Sequence, residues 1–349
     1  MSWGVRRGRH ARERGADGAP APGRHPSSGR GPGGRPAGGA EQLMVPSAEF
    51  ASYYGRPVLK EPAWGVPDVP GYLFLGGLAG ASSALAASAE LTGRPELARV
   101  AKTAAAGAIS LSAAALVRDL GRPARFHHML RVFKPTSPMS VGSWLLVGYG
   151  PAAGVAAASA VTGWLPRIGR AATGVAAVLG PGVAAYTAAL LSDTAVPAWH
   201  EAHRELPYLF VSSAATAAGG LGLVLARSEQ SGPARNLAVA GAGAELVAKS
   251  LLIRRLGPAA GPYQSGRAGH LMEAAEILTA SGLSAAALGG RNRAVAALAG
   301  TALLASSALT RFGVFYAGRE SARDPRYTVV PQRDRIRRQD RGESPAATV

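Results

Sequence analysis

The side chains able to do chemistry are few and unevenly placed. The 349-residue chain has no Cys and seven His: His10, His25, His127, His128, His200, His203 and His270. Without thiolates it cannot ligate an iron–sulfur cluster through Cys, form a disulfide or attach a c-type haem. A b-type haem in a membrane needs His ligands on facing helices. These His fall in tails, loops or at a helix end, so no haem and no iron–sulfur cluster is expected in this chain. Any electrons it handles must come from a diffusible carrier or another subunit. A second group lies inside apolar sequence. Glu245 and Lys249 are spaced i, i+4 and can pair on one helical face; Glu273 and Glu276 also share a face, and Arg311 and Asp193 stand apart. Charge inside lipid is costly and usually has a reason. Two readings are open: a proton path, or an ion-pair network that locks helices together. A third group is the stretch Asp119-Leu-Gly-Arg-Pro-Ala-Arg-Phe126 with Lys134-Pro-Thr-Ser-Pro-Met-Ser-Val-Gly-Ser-Trp144. Asp119, Arg122, Arg125 and Arg131 read as a docking surface or as a structural platform, with Asp–Arg pairing to pin the loop and Pro123 to stop the helix before it.

The elements that must position these groups are membrane spans. Apolar stretches of about 20 residues recur through the middle of the chain, the length that crosses a bilayer as a helix. A soluble Ala-rich bundle would show polar residues every three or four positions; segments such as Gly71–Ala89 and Gly142–Gly163 do not. Eight helices are predicted, at about 71–90, 101–119, 142–163, 171–192, 206–226, 235–255, 271–289 and 294–316. The fold class is therefore all-α and polytopic. No internal repeat is visible. Gly76, Gly77 and Gly80 form a small-residue face that lets backbones approach closely in lipid. They lack the preceding strand and following Lys-Ser/Thr of a phosphate loop.

The predicted organisation is a disordered basic tail over 1–45, an ordered pre-membrane segment over 46–70, the eight-helix domain over 71–316 and a basic tail over 317–349. Met1 and Met44 are both readings of the start. The net charge of +17 invites a nucleic-acid partner, but its distribution argues otherwise: residues 1–40 hold eight Arg against Glu13 and Asp17, and residues 317–349 hold eight Arg against five acids. Tails and loops of this kind suit an anionic membrane face and place both termini in the cytoplasm at the cell membrane.

The segment from Tyr53 to Trp144 resembles the NrfD/PsrC family, the integral membrane subunits of polysulfide-reductase-type molybdopterin oxidoreductases. The resemblance rests on Tyr72-Leu-Phe-Leu-Gly-Gly-Leu-Ala-Gly80, Asp119-Leu-Gly-Arg-Pro123, Arg125-Phe126, Pro135-Thr-Ser-Pro-Met139, Gly142-Ser-Trp144 and Thr194-Ala-Val-Pro-Ala-Trp199. Beyond about residue 205 it rests on helix count and on Glu273 and Glu276. It implies a haem-free anchor that binds a quinone, menaquinone or ubiquinone, and exchanges electrons with a four-cluster iron–sulfur subunit. That partner would connect to a molybdenum or tungsten bis-pterin catalytic subunit. The family's quinone pocket lies at the partner-facing end of the first four helices. By position Asp68 and Tyr72 fall where polar ligands are expected, with His127 and His128 in the opening loop. The family's Asn/His pair is not reproduced on the first helix. A Tyr expected near Gly180 is absent, Tyr186 being the closest. Each candidate also reads as an ordinary interfacial residue. Two other functions compete: a proton- or ion-translocating module, and a passive anchor.

Overall fold

The computed structural model describes residues 59–62, 64–119, 123–289, 292–330 and 333, without the side chains of 123–126. The predicted tail over 1–45, residues 46–58 of the pre-membrane segment and residues 334–349 lie outside the described residues. The described chain is all-helical. Eight helices are long and apolar enough to cross a membrane: α1 (Asp68–Leu91), α2 (Pro95–Asp119), α3 (Pro138–Thr162), α4 (Pro166–Ser192), α5 (Leu206–Leu225), α6 (Gly232–Leu256), α7 (Gly266–Leu288) and α8 (Arg293–Arg323).

Several helices begin a turn or more before the hydropathy predicts. Pro95, Pro138 and Pro166 each open a helix, where the missing N–H costs nothing and the fixed φ is already helical. Hydropathy marks only the lipid-buried stretch, so it misses the polar first turn that each Pro starts. At the other end, α8 continues to Arg323, so part of the predicted tail over 317–349 is helix.

The helices pack with their small residues inward. Leu111, Val178, Ile277 and Leu298 are exposed on the helix surfaces, while the buried faces are mostly Ala, Gly and Ser. That is the arrangement expected in lipid, where no water drives large apolar groups inward and close backbone approach supplies the attraction.

The tertiary structure corrects one expectation from the sequence, that of no repeat. Helices α1–α4 and α5–α8 form two four-helix units with the same pairings: first on second, third on fourth, and first on fourth, with a lighter second–third contact. The units meet mainly through α1 and α4 against α5. Since α1 and α5 run in the same direction, the repeat is parallel. The same device closes both. A Cβ added at Gly80 of α1 would collide with the carbonyl of Gly180 on α4, and the reverse holds; Gly220 of α5 and Gly300 of α8 stand in the same reciprocal relation. Polar contacts cross both units as well, Ser83 to Tyr149 at 2.8 Å and Ser213 to Ser307 at 2.9 Å.

The face of the bundle where α1 begins and α8 ends, the terminal face, is capped by residues 59–67. Trp64 stacks on Trp199 of the short helix Pro197–Glu201, with ring centroids 5.5 Å apart. Trp199 is wholly buried, packs on Phe315 and donates its indole N–H to the Val314 carbonyl at 2.7 Å. Glu61 binds Arg319 and Arg323 at the end of α8, the latter at 3.0 Å. These contacts tie the pre-membrane segment across both units.

Candidate functional site

Two carboxylates of the first unit meet at its terminal face, while Glu90, Lys102 and Arg170 lie at the opposite end. Asp68 opens α1, and its carboxylate lies 3.6 Å from Arg118 Nη2 at the end of α2. Asp119, the next residue, accepts the backbone N–H of Gly65 at 2.9 Å. A Cβ at Gly65 would stand 3.1 Å from Asp119 Oδ1 and 3.9 Å from Asp68 Oδ2. Both carboxylates therefore flank the turn that leads into the membrane, and Asp119 holds that turn in place. Arg118 is largely exposed, so its pair with Asp68 contributes little to stability.

Tyr72 lies one turn below Asp68 and is buried among α1, α2 and α4. Its carbonyl accepts Ser112 Oγ of α2 at 3.1 Å. Further along the same face, a Cβ at Gly76 would meet Val183 of α4. Because α1 and α4 are antiparallel, Tyr186 of α4 sits one turn nearer the terminal face than Val183, at the level of Tyr72. Its ring fills the space left by Gly142 of α3, where an added Cβ would collide with it. The Tyr186 hydroxyl is buried and has no hydrogen-bond partner among the described residues. A buried phenol nearly always finds one, so this is a donor held ready in an apolar setting. Sequence reading reached Tyr186 only as the nearest Tyr to Gly180. The signal it missed was Gly142, whose role is to make room.

The other candidates fall elsewhere. His127 and His128 are exposed on the 3-10 helix Pro123–Leu130, their rings 4.4 Å apart edge to face. Arg131 is exposed in the same loop. Arg122 and the side chain of Arg125 lie outside the described residues. Phe133 of this loop packs edge to face on Trp144 of α3, and Val132, Phe133 and the α3 residues Met139 and Trp144 are all exposed. A cavity of about 260 Å³ lies beside the site, walled by Leu59, Lys60, Pro62, Trp64, Thr194 and Val196. Glu61 is the titratable group tuned here. Partial burial raises its pKa, but hydrogen bonds and charge from Arg323 and Arg319 outweigh that and hold it below the ordinary carboxylate value.

The expected Glu245–Lys249 pair does not form. Lys249 reaches across to α7, where its Nζ binds Glu276 at 2.6 Å and the Met272 carbonyl at 2.7 Å. Glu245 turns inward to Thr310 of α8, at 2.8 Å. The i, i+4 spacing allows a pair, but neighbouring helices offer each side chain a better partner. Glu273 is exposed on α7, and Asp193 is exposed where α4 ends.

The fold defines a multi-pass, all-helical membrane protein, with Asp68, Tyr72, Asp119 and Tyr186 towards the terminal end of its first four-helix unit. Residues 59–238, just over half of the chain, match the family described as polysulphide reductase, NrfD. The chain belongs to that family. No curated protein matches it. Membership fits a membrane anchor in a redox complex.

Proposed function

We propose that this chain is the quinone-binding membrane subunit of an oxidoreductase complex, exchanging electrons with an iron–sulfur subunit that serves a molybdopterin catalytic subunit. The observation that carries the reading is the buried, unpartnered hydroxyl of Tyr186 at the level of Tyr72, within the part of the chain that matches the family. A quinone ring needs an apolar slot and a donor for each carbonyl. The Tyr186 hydroxyl supplies such a donor from α4. Asp68 and the exposed His127 and His128 lie at the same face, where protons would leave or enter. When bound, quinol supplies two electrons and two protons. The clusters that exchange electrons with it would lie in the partner, since this chain has no Cys to hold one.

The partner docks on the terminal face, through the α2–α3 loop. Arg131 and the exposed Val132, Phe133, Met139 and Trp144 offer the mixture of cation and aromatic anchors that interfaces favour. Asp119 positions the rim through Gly65. The excess of Lys and Arg in the tails supports a cytoplasmic position for this face at the cell membrane. Purification from native membranes tests the reading. Co-purified iron–sulfur and molybdopterin subunits with retained quinone are the expected result. A lone polypeptide with no affinity for quinone sinks it.

A further inference from the structure

The second four-helix unit holds buried polar groups that the quinone reading does not use. Glu245 of α6 is 3% exposed, and Arg311 of α8 is 0% exposed. Glu245 Oε1 accepts Thr310 Oγ1 at 2.8 Å; Ser213 and Thr216 on α5 lie near this carboxyl, but their hydroxyls bond Ser307 and the Ser212 carbonyl. Arg311 donates through Nη2 to the Phe210 carbonyl at 2.6 Å and lies 3.8 Å over the Phe210 ring. On its other side it abuts α1, where a Cβ at Gly77 would be 3.2 Å from Nη2. Three atoms are left over. Glu245 Oε2, Arg311 Nε and Arg311 Nη1 are buried without a hydrogen-bond partner among the described residues.

Each such atom carries a desolvation cost, larger for a charged group. A contact that only locked helices would close on itself, as Lys249 closes on Glu276 at 2.6 Å. Here one open acceptor and two open donors remain in the interior of the same unit, polar valences of the kind that buried water satisfies. The charged groups around Glu245 are few. Arg311 faces it from α8. Lys249 lies one turn away on α6, engaged with Glu276 of α7. Helix α5 contributes hydroxyls only, and α1 contributes Gly77.

We propose that Glu245 is a proton-exchange site inside the membrane, held by Thr310 beside the Arg311 charge and exchanging through water at Oε2. Oε2 takes a proton from water to form a carboxylic acid and returns it to water; no electrons move. Oε1 stays the carbonyl oxygen under Thr310. The site stands apart from the quinone reading and is tested without quinone.

The experiment is pH-difference infrared spectroscopy on the full-length chain, with its bound subunits, in membrane vesicles. The expected result is a protonated-carboxyl C=O band that grows as pH falls, shifts in D2O, disappears in E245Q and persists in E276Q. T310V keeps the carboxyl but removes the hydrogen bond to Oε1, so the band moves to higher frequency. Persistence of the band in E245Q, its loss in E276Q, or the lack of any titrating carboxyl band in the wild type overturns the assignment. If E245Q fails to accumulate, T310V decides: an unmoved band overturns it.

Discussion

Tyr186→Phe separates a structural hydroxyl from a ligand-binding one. The Tyr186 O–H is buried without a partner, so the ligand-free fold bears its desolvation, about 1–3 kcal/mol by mutational scales. The ring packs into the space above Gly142, and Phe keeps that ring. Removing the oxygen alone therefore stabilises the ligand-free protein by about 1 kcal/mol or more. Quinol binding should change in the opposite direction. Losing one donor to a quinone oxygen costs about 1 kcal/mol, roughly fivefold in Kd. The assay pairs the thermal midpoint of the purified, quinone-free protein with quinol titration of the same sample. A higher midpoint with weaker quinol binding is expected. A lower midpoint shows that the hydroxyl has a structural partner. A higher midpoint with unchanged affinity shows that it does not touch quinol. Either of those outcomes refutes the reasoning.

Other outcomes follow from the same contacts. Gly80→Ala places a Cβ against the Gly180 backbone and should destabilise by about 1–3 kcal/mol through overpacking. Gly150→Ala has nothing within 4 Å of the new atom and should be neutral or slightly stabilising, both read as thermal midpoints in detergent. Glu61 is held below the ordinary carboxylate value of 4.5. A lowered carboxyl stabilises the fold above that value and loses its contribution as pH falls through the lower, folded value. Glu61→Gln should therefore lower stability at neutral pH and flatten its loss in acid, measured as midpoint against pH. Glu273→Gln and Glu276→Gln alter side chains exposed on α7, and quinol-coupled proton uptake should be unchanged. A fall in uptake with either variant would restore a proton route along that helix.

The sequence by itself determined the class of protein. Runs of apolar residues without charge are legible because each must match the thickness of a bilayer, whatever packs beside it. The absence of Cys is equally local, and it leaves this chain no thiolate to ligate a cluster. The family blocks from Tyr72 to Trp199 draw attention to Asp68 and Tyr72, which lie in the first two turns of α1. What the sequence could not decide was which side chains meet. The spacing of Glu245 and Lys249 permits a pair, yet Thr310 and Glu276 on other helices take them. Gly142 reads as one small residue among many until Tyr186 is seen to occupy its space. Arg311 is a lone charge until Phe210, Gly77 and Glu245 surround it. The repeat of the two units is likewise invisible in the sequence, because it lies in which backbones touch, at Gly80 with Gly180 and at Gly220 with Gly300. Hydropathy reports each residue's preference for lipid over water, a property of one helix. Partners and open valences depend on distances between helices, which only the packed bundle fixes.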